Sequence, residues 1–156
     1  MNPFGYTAVL VFVFVAMEGV TWCTHKFVMH GFLWTLHEDH HRPGKGFFEK
    51  NDLFFLIFAV PSFCAILWGT LGRQFALQAA GFGVMAYGMA YFLVHDVVIH
   101  RRFNWFSRSD SGYVRAVRLA HKMHHKHLGK EDGEAFGLLF VARKYRKKIK
   151  QNRAHA

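Results

Sequence analysis

The sequence predicts an all-α fold: an integral membrane helical bundle of about three transmembrane helices, with a histidine-rich cap on its cytoplasmic side. Three observations lead there. Three apolar runs are each long enough to cross a bilayer, the cations are distributed very unevenly between the segments that join them, and ten of the twelve His fall beyond the same ends of these runs. The chain has 156 residues, 52% of them hydrophobic and 17% aromatic, which excludes a disordered segment and fits a single domain. Residues 1–142 read as one membrane domain and 143–156 as a basic C-terminal tail.

The first run, residues 4–24, is apolar except for Thr7, Glu18, Thr21 and Thr24, and the second (53–70) and third (74–94) carry no charge. At the α-helical rise, 18 to 21 residues reach roughly 27–31 Å, one hydrocarbon core. Buried helices of a soluble bundle would show a polar stripe, and these runs have none. Glu18 is costly in lipid and is expected to face the other helices, protonated or hydrogen-bonded. Met1-Asn2-Pro3 lacks a positively charged lead, and no small-residue cleavage pattern follows, so no cleaved signal peptide is expected. Cys23 and Cys64 lie inside apolar runs and make neither a disulfide framework nor a thiolate metal site.

Leu71-Gly72-Arg73 is all that joins the second run to the third, so these helices form a tight antiparallel hairpin. Arg73 is also the one cation there; the other 19 of 20 Lys and Arg lie between the first two runs or after the third. By the positive-inside rule those two segments are cytoplasmic, the N-terminus is outside and the C-terminus inside, in the cytoplasmic (inner) membrane. The charge excess of +10 therefore lies along one membrane face and does not indicate nucleic-acid binding. Seven cations between Arg143 and Arg153 suit adhesion to anionic membrane lipids or docking of an acidic protein.

The histidines repeat. His25 and His30 precede His37, His40 and His41; His95 and His100 precede His121, His124 and His125. Each half of the chain thus carries H-x4-H followed by H-x2-H-H, and all ten fall on the cytoplasmic face. In H-x2-H-H the three imidazoles share one helix face. In H-x4-H they stand about 140° apart on an ideal helix, so each pair flanks a helix end, uses a π-type distortion, or serves different metals. Ten ligands exceed what one ion takes and imply a dinuclear site; imidazole alone suits Fe, Zn, Cu or Ni. His127 and His155 stand outside the repeat. Asp96 beside His95, and Asp39 beside His40, are candidates to orient a ring through its free N–H.

His37-Glu38-Asp39-His40-His41 also satisfies H-E-x-x-H, in which His37 and His41 bind zinc and Glu38 is the base of a membrane protease. That reading leaves eight histidines without a role. A His-rich metal transporter would want ionisable groups inside the second and third runs, where there are none.

The stretches His25-Lys26-Phe27-Val28-Met29-His30-Gly31, His37 to His41, Phe48 to Leu53, Ala86-Tyr87-Gly88, Tyr91 to Asp96, His100, and Ala120 to His125 with Gly129-Lys130-Glu131 resemble the bacterial β-carotene 3-hydroxylases of the membrane fatty-acid-hydroxylase superfamily. The resemblance runs from about residue 4 to 140. It implies a non-haem di-iron monooxygenase that uses O2 and two electrons to hydroxylate C3 of β-ionone rings, carrying β-carotene to β-cryptoxanthin and then zeaxanthin. It also implies that His25, His30, His37, His40, His41, His95, His100, His121, His124 and His125 hold two Fe ions, with Zn a possible substitute in a purified sample. The implied partners are a carotenoid drawn from the bilayer and a ferredoxin-type electron donor. No G-x-G-x-x-G is present to bind an organic cofactor. Hydroxylation or desaturation of another membrane lipid, a sterol or a fatty acyl chain, is the alternative within the superfamily.

Overall fold

A computed structural model describes residues 1–42, 46–106, 108–131 and 133–154, with side chains described as far as residue 152. Among the described residues the chain is helical and has no strand: α1 (Pro3–Cys23), α2 (Trp34–His41), α3 (Leu53–Leu71), α4 (Phe75–Tyr91), α5 (Gly112–His124) and α6 (Arg143–Ala154). Asn2 caps α1, its side-chain oxygen accepting from the Gly5 N–H at 2.7 Å, and Pro3 fills a first-turn position that needs no donor.

Three helices are long and apolar enough to span a membrane, as expected, but two of them run further than the apolar runs suggest. α1 continues as a π-helical segment, Thr24–Phe32, and α4 continues as another, Phe92–Ile99. The first and third spans therefore extend over Pro3–Phe32 and Phe75–Ile99. The extensions carry H-x4-H. An i→i+5 hydrogen bond, such as the His100 N–H donating to the His95 carbonyl at 2.9 Å, brings positions five apart onto one side of the helix. Of the three arrangements open to H-x4-H, the π-type one is found in both halves.

α4 packs against both α1 and α3. Between α3 and α4 the Gln74 N–H donates to Gly69 O at 2.8 Å and the Arg73 N–H to Thr70 O, with Arg73 at φ 54°, which is a Schellman turn with arginine where glycine is usual. Close approach is set by glycine. A Cβ on Gly81 would sit 2.9 Å from both the Ile66 N and Ser62 O of α3, and one on Gly83 would sit 2.7 Å from Leu10 O of α1. Ser62 Oγ, which follows the helix-internal Pro61, donates to Gly81 O at 2.8 Å across the same contact. Outward-facing residues such as Phe4, Phe12, Phe63 and Trp68 stay exposed and meet lipid.

Beyond the spans, α5 buries Ala116, Val117, Ala120, His121 and His124. α6 lies across α5, placing Tyr145 and Ile149 against Ala116 and Ala120. The basic C-terminal segment is thus an amphipathic helix held by an i,i+4 apolar pair, with its cations outward.

Gly81→Val is expected to lower the melting temperature of detergent-solubilised protein, at a cost of about 1–3 kcal/mol for forcing α3 and α4 apart. Gly88→Ala, whose Cβ meets nothing within 4 Å, should be neutral or stabilising. Equal melting temperatures for the two variants would contradict this packing.

Candidate metal centre

The two π-helical ends, α2, and the last turn of α5 deliver all ten patterned histidines to one place. Five of them, His25, His30, His37, His41 and His124, each offer a ring nitrogen within 4.8 Å of the others; His40, His95, His100 and His121 form a second such group. His125 adjoins the second group, its Nε2 2.7 Å from Nε2 of His121. The groups share a border, with His41 stacked on His125 at 4.4 Å and His37 on His40 at 5.2 Å between ring centroids. His37 is 1% exposed and His124 is fully buried.

Each H-x4-H pair goes whole to one group, but each H-x2-H-H triplet divides. The i and i+4 members, His37 and His41, stay with His25 and His30, while His40 crosses to the other group. In the second half His121 and His125 stay with His95 and His100, while His124 crosses to the first. The two halves of the chain exchange one imidazole each.

Hydrogen bonds on the far nitrogens decide what the near ones can do. Nδ1 of His25 donates to Phe136 O (3.0 Å), that of His30 to Leu128 O (2.9 Å), that of His37 to Asn51 Oδ1 (2.7 Å) and that of His124 to Glu134 O (3.1 Å). These oxygens only accept, so in the neutral rings Nε2 carries the lone pair. The lone pairs of these four converge: Nε2 of His37 lies 3.1 Å from Nε2 of His25, and those of His30 and His124 approach at 3.2 Å; His41, whose buried Nδ1 has no hydrogen-bond partner, brings its Nε2 to 3.1 Å from that of His37. Acceptors this close need a cation between them. In the second group His40 Nδ1 donates to Glu49 Oε2 at 2.9 Å, leaving its buried Nε2 without a hydrogen-bond partner. The donor set fits a metal ion in each group.

Protons are poor candidates for that cation. Burial, reinforced by neighbouring imidazoles, lowers His41, His100 and His124 from the usual 6.5 to about 2 and His125 to about 4. Burial also brings His37 to about 3, against the opposing effect of its hydrogen bond to Asn51, and holds His40 and His121 well below 6.5. These rings are neutral at pH 7, the form that binds metal.

The carboxylates are distributed differently from their neighbours in sequence. Asp96 Oδ2 lies 3.4 Å from His95 Nδ1, where sequence adjacency suggested it. Asp39 accepts from the Lys50 N–H at 2.6 Å, and it is Glu49 that takes the N–H of His40. Arg102 joins both halves, reaching Glu49 Oε2 (3.1 Å), Asp52 Oδ1 (3.0 Å) and Asp96 Oδ1 (3.3 Å), after Arg101 at φ 55° turns the chain back. Glu49, Asn51 and Arg102 were not singled out as site residues, because nothing in their spacing from the histidines marks them, although Glu49 and Asn51 lie in the Phe48 to Leu53 stretch that carries the resemblance. Glu38, the base of the protease reading, pairs with Arg42 at 2.6 Å on the exposed side of α2, away from His37 and His41. His127 joins neither group, and His155 lies outside the described residues.

Residues 10–142 match the fatty acid hydroxylase family. The chain is 43% identical to a beta-carotene hydroxylase of Pseudescherichia vulneris over 85% of its own length and 75% of that protein's. It is 42% identical to a beta-carotene hydroxylase of Pantoea ananas over 87% and 78%. A chloroplastic beta-carotene 3-hydroxylase 2 of Arabidopsis thaliana is 37% identical over 88% of this chain and 46% of the plant protein. No solved structure matches the chain.

The lowered imidazole pKa values fix the sign of a pH effect on metal-free protein. As pH falls below 6.5 the unfolded chain takes up protons that the folded cluster refuses down to about pH 4 and below. Stability therefore falls across that window, by about 1.4 kcal/mol per pH unit for each imidazole that only the unfolded chain protonates. Thermal melts of chelator-treated protein from pH 7 to 5 should show the decline; a flat profile would contradict the buried, neutral cluster.

Proposed function

The chain belongs to the fatty acid hydroxylase family, and from that premise we propose that it is a carotenoid hydroxylase acting at C3 of β-ionone rings, taking β-carotene to β-cryptoxanthin and then zeaxanthin. The observation that carries this reading is the pair of adjoining histidine groups with inward Nε2 lone pairs at the ends of membrane-spanning helices, in a chain similar over most of its length to proteins of that name. His25, His30, His37, His41 and His124 would hold one iron, and His40, His95, His100, His121 and His125 the other. Iron, when bound, supplies the redox capacity for using O2 on an unactivated C–H bond, which redox-inert zinc lacks even where it occupies the same ligands.

The chain's own residues supply the rest. The carbonyls of Leu128, Glu134 and Phe136, with Asn51 and Glu49, lock the tautomers and ring planes. Burial of His37 and His124 keeps water from the interior of the cluster. The spans give access to a hydrocarbon that is available only within the bilayer. Each turnover consumes one O2, two electrons and two protons, converting C–H to C–OH with release of one water. A ferredoxin-type protein is the proposed electron donor. The outward cations of α6, Arg143, Lys144, Arg146, Lys147, Lys148 and Lys150, suit either an acidic donor or the anionic leaflet. With its N-terminus outside, the chain places the histidines and C-terminus in the cytoplasm.

In cells accumulating β-carotene, expression should yield β-cryptoxanthin first and zeaxanthin later, with the hydroxyl oxygens labelled from 18O2. Label from water, or a 4-keto product without a 3-hydroxy product, would refute the assignment. Replacing any one of the ten histidines by Ala should nearly abolish conversion, and elemental analysis of active protein should give two irons per chain.

For orientation, a reporter fused after Ala156 should read cytoplasmic and one before Met1 should not. Both termini on one side would contradict three spans.

A further inference from the structure

Glu18 is the one carboxylate in the apolar run of the first span, and it is 8% exposed. A buried intramembrane carboxylate is costly unless its oxygens are matched by donors. Here they are. Oε1 accepts the backbone N–H groups of Leu138 (2.8 Å), Leu139 (2.9 Å) and Phe140 (3.1 Å), and Oε2 accepts the hydroxyl of Tyr87 at 2.7 Å. All four partners are donors, matching the acceptor-only form of a carboxylate. One side chain thereby joins α1, α4 and a segment some 120 residues later in the chain.

That segment has no regular secondary structure of its own between Glu134 and Leu139 other than a bend, and Ala135 sits at φ 59°, a left-handed conformation that an L-residue does not hold unaided. Yet it is the segment whose Phe136 and Glu134 carbonyls accept the Nδ1 protons of His25 and His124. Phe136 also lies edge-on to His25, His30 and His124, with ring centroids 5.3–5.5 Å away. The fit at the clamp is close: a Cβ on Gly137 would come within 2.9 Å of Glu18 Oε1. The Nδ1 sides of the rings face this segment, so Glu18 stands behind the imidazoles, on the side away from the converging Nε2 atoms.

We propose that Glu18 is a positioning residue for the metal group of His25, His30, His37, His41 and His124. From within the membrane span it clamps the 138–140 backbone and so holds the carbonyls of residues 134 and 136 that fix two of the five imidazoles. The proposal rests on the reading of that group as a metal site. It predicts an asymmetric effect, since the carbonyls that Glu18 holds serve the first group and not the second.

The test compares wild type with Glu18→Gln and Gly137→Ala in detergent-solubilised full-length protein. Hydrogen–deuterium exchange at the amides of Leu138, Leu139 and Phe140 should rise at least about tenfold in Glu18→Gln, with or without metal, because each loses a hydrogen bond to a charged acceptor. Iron should fall from two per chain towards one, and kcat should drop about 10–100-fold while KM for β-carotene is unchanged, as for loss of a group that orients ligands. Gly137→Ala, which intrudes on the clamp from the loop side, should show the same pattern, and it decides the matter if Glu18→Gln does not accumulate in membranes. Unchanged exchange in the variant, or raised exchange with iron and kcat at wild-type levels, would overturn the proposal. Wild-type protein that bound no iron would instead remove the hydroxylase reading, while the exchange comparison on metal-free protein would still report on the clamp.

Discussion

Ten imidazoles can be gathered in a dry interior only if something decides which nitrogen of each ring carries the proton. In the first group that decision is made by four acceptor oxygens, from Phe136, Leu128, Asn51 and Glu134, and in the second by Glu49 for His40. With these Nδ1 protons turned outward, the Nε2 lone pairs of His25 and His37, and of His30 and His124, face one another at about hydrogen-bond distance without a proton to share. The arrangement is unfavourable alone and favourable around cations, so folding of the cap and metal binding are linked. The acceptors come from outside the α-helices: Glu49 and Asn51 from around the 3-10 turn Lys50–Asp52, and the carbonyls of Leu128, Glu134 and Phe136 from the chain after α5.

The exchange of His40 and His124 between the two groups makes the halves of the chain interdependent. Neither group is complete without a ring from the other half, and Arg102 ties Glu49 and Asp52 of one half to Asp96 of the other. A helix with H-x2-H-H suits this role because its i and i+4 rings lie close in direction while the i+3 ring points about 60° to one side. α2 and α5 each present two rings to their own group and one across the border. The two histidine groups are therefore held at a separation set by single rigid helices.

The spans were legible in the sequence because hydrophobicity is a property of each residue and needs no partner. Their ends were less so. Residues 25–30 and 95–99 are mixed in polarity, and they continue the helices with π-type bonding that aligns His25 with His30 and His95 with His100, an option the sequence left open among three, before Gly31 (φ −114°, ψ −123°) breaks the first of them. The ten histidines were visible as a repeat, whereas their division between two groups depends on how α2 and α5 face each other. Asp96 neighbours His95 in sequence, and its Oδ2 lies 3.4 Å from Nδ1 of that ring. Glu49 and Asn51 neighbour no histidine in sequence; they reach His40 and His37 from a 3-10 turn and its flank that close only in three dimensions. Glu18 stood out as a carboxylate in an apolar run, but its partners lie 69 and 120 to 122 residues away.

Helix length explains why the centre lies where a membrane-dissolved substrate can use it. The second span has 22 residues, roughly 33 Å, close to the thickness of a hydrocarbon core. The first and third, with 30 and 25 residues, are longer and overshoot it. The overshoot is in the π-helical ends, which places the imidazoles at the depth of the headgroups. At that depth a terminal ring of a long apolar molecule can reach the site while its chain remains among lipid tails.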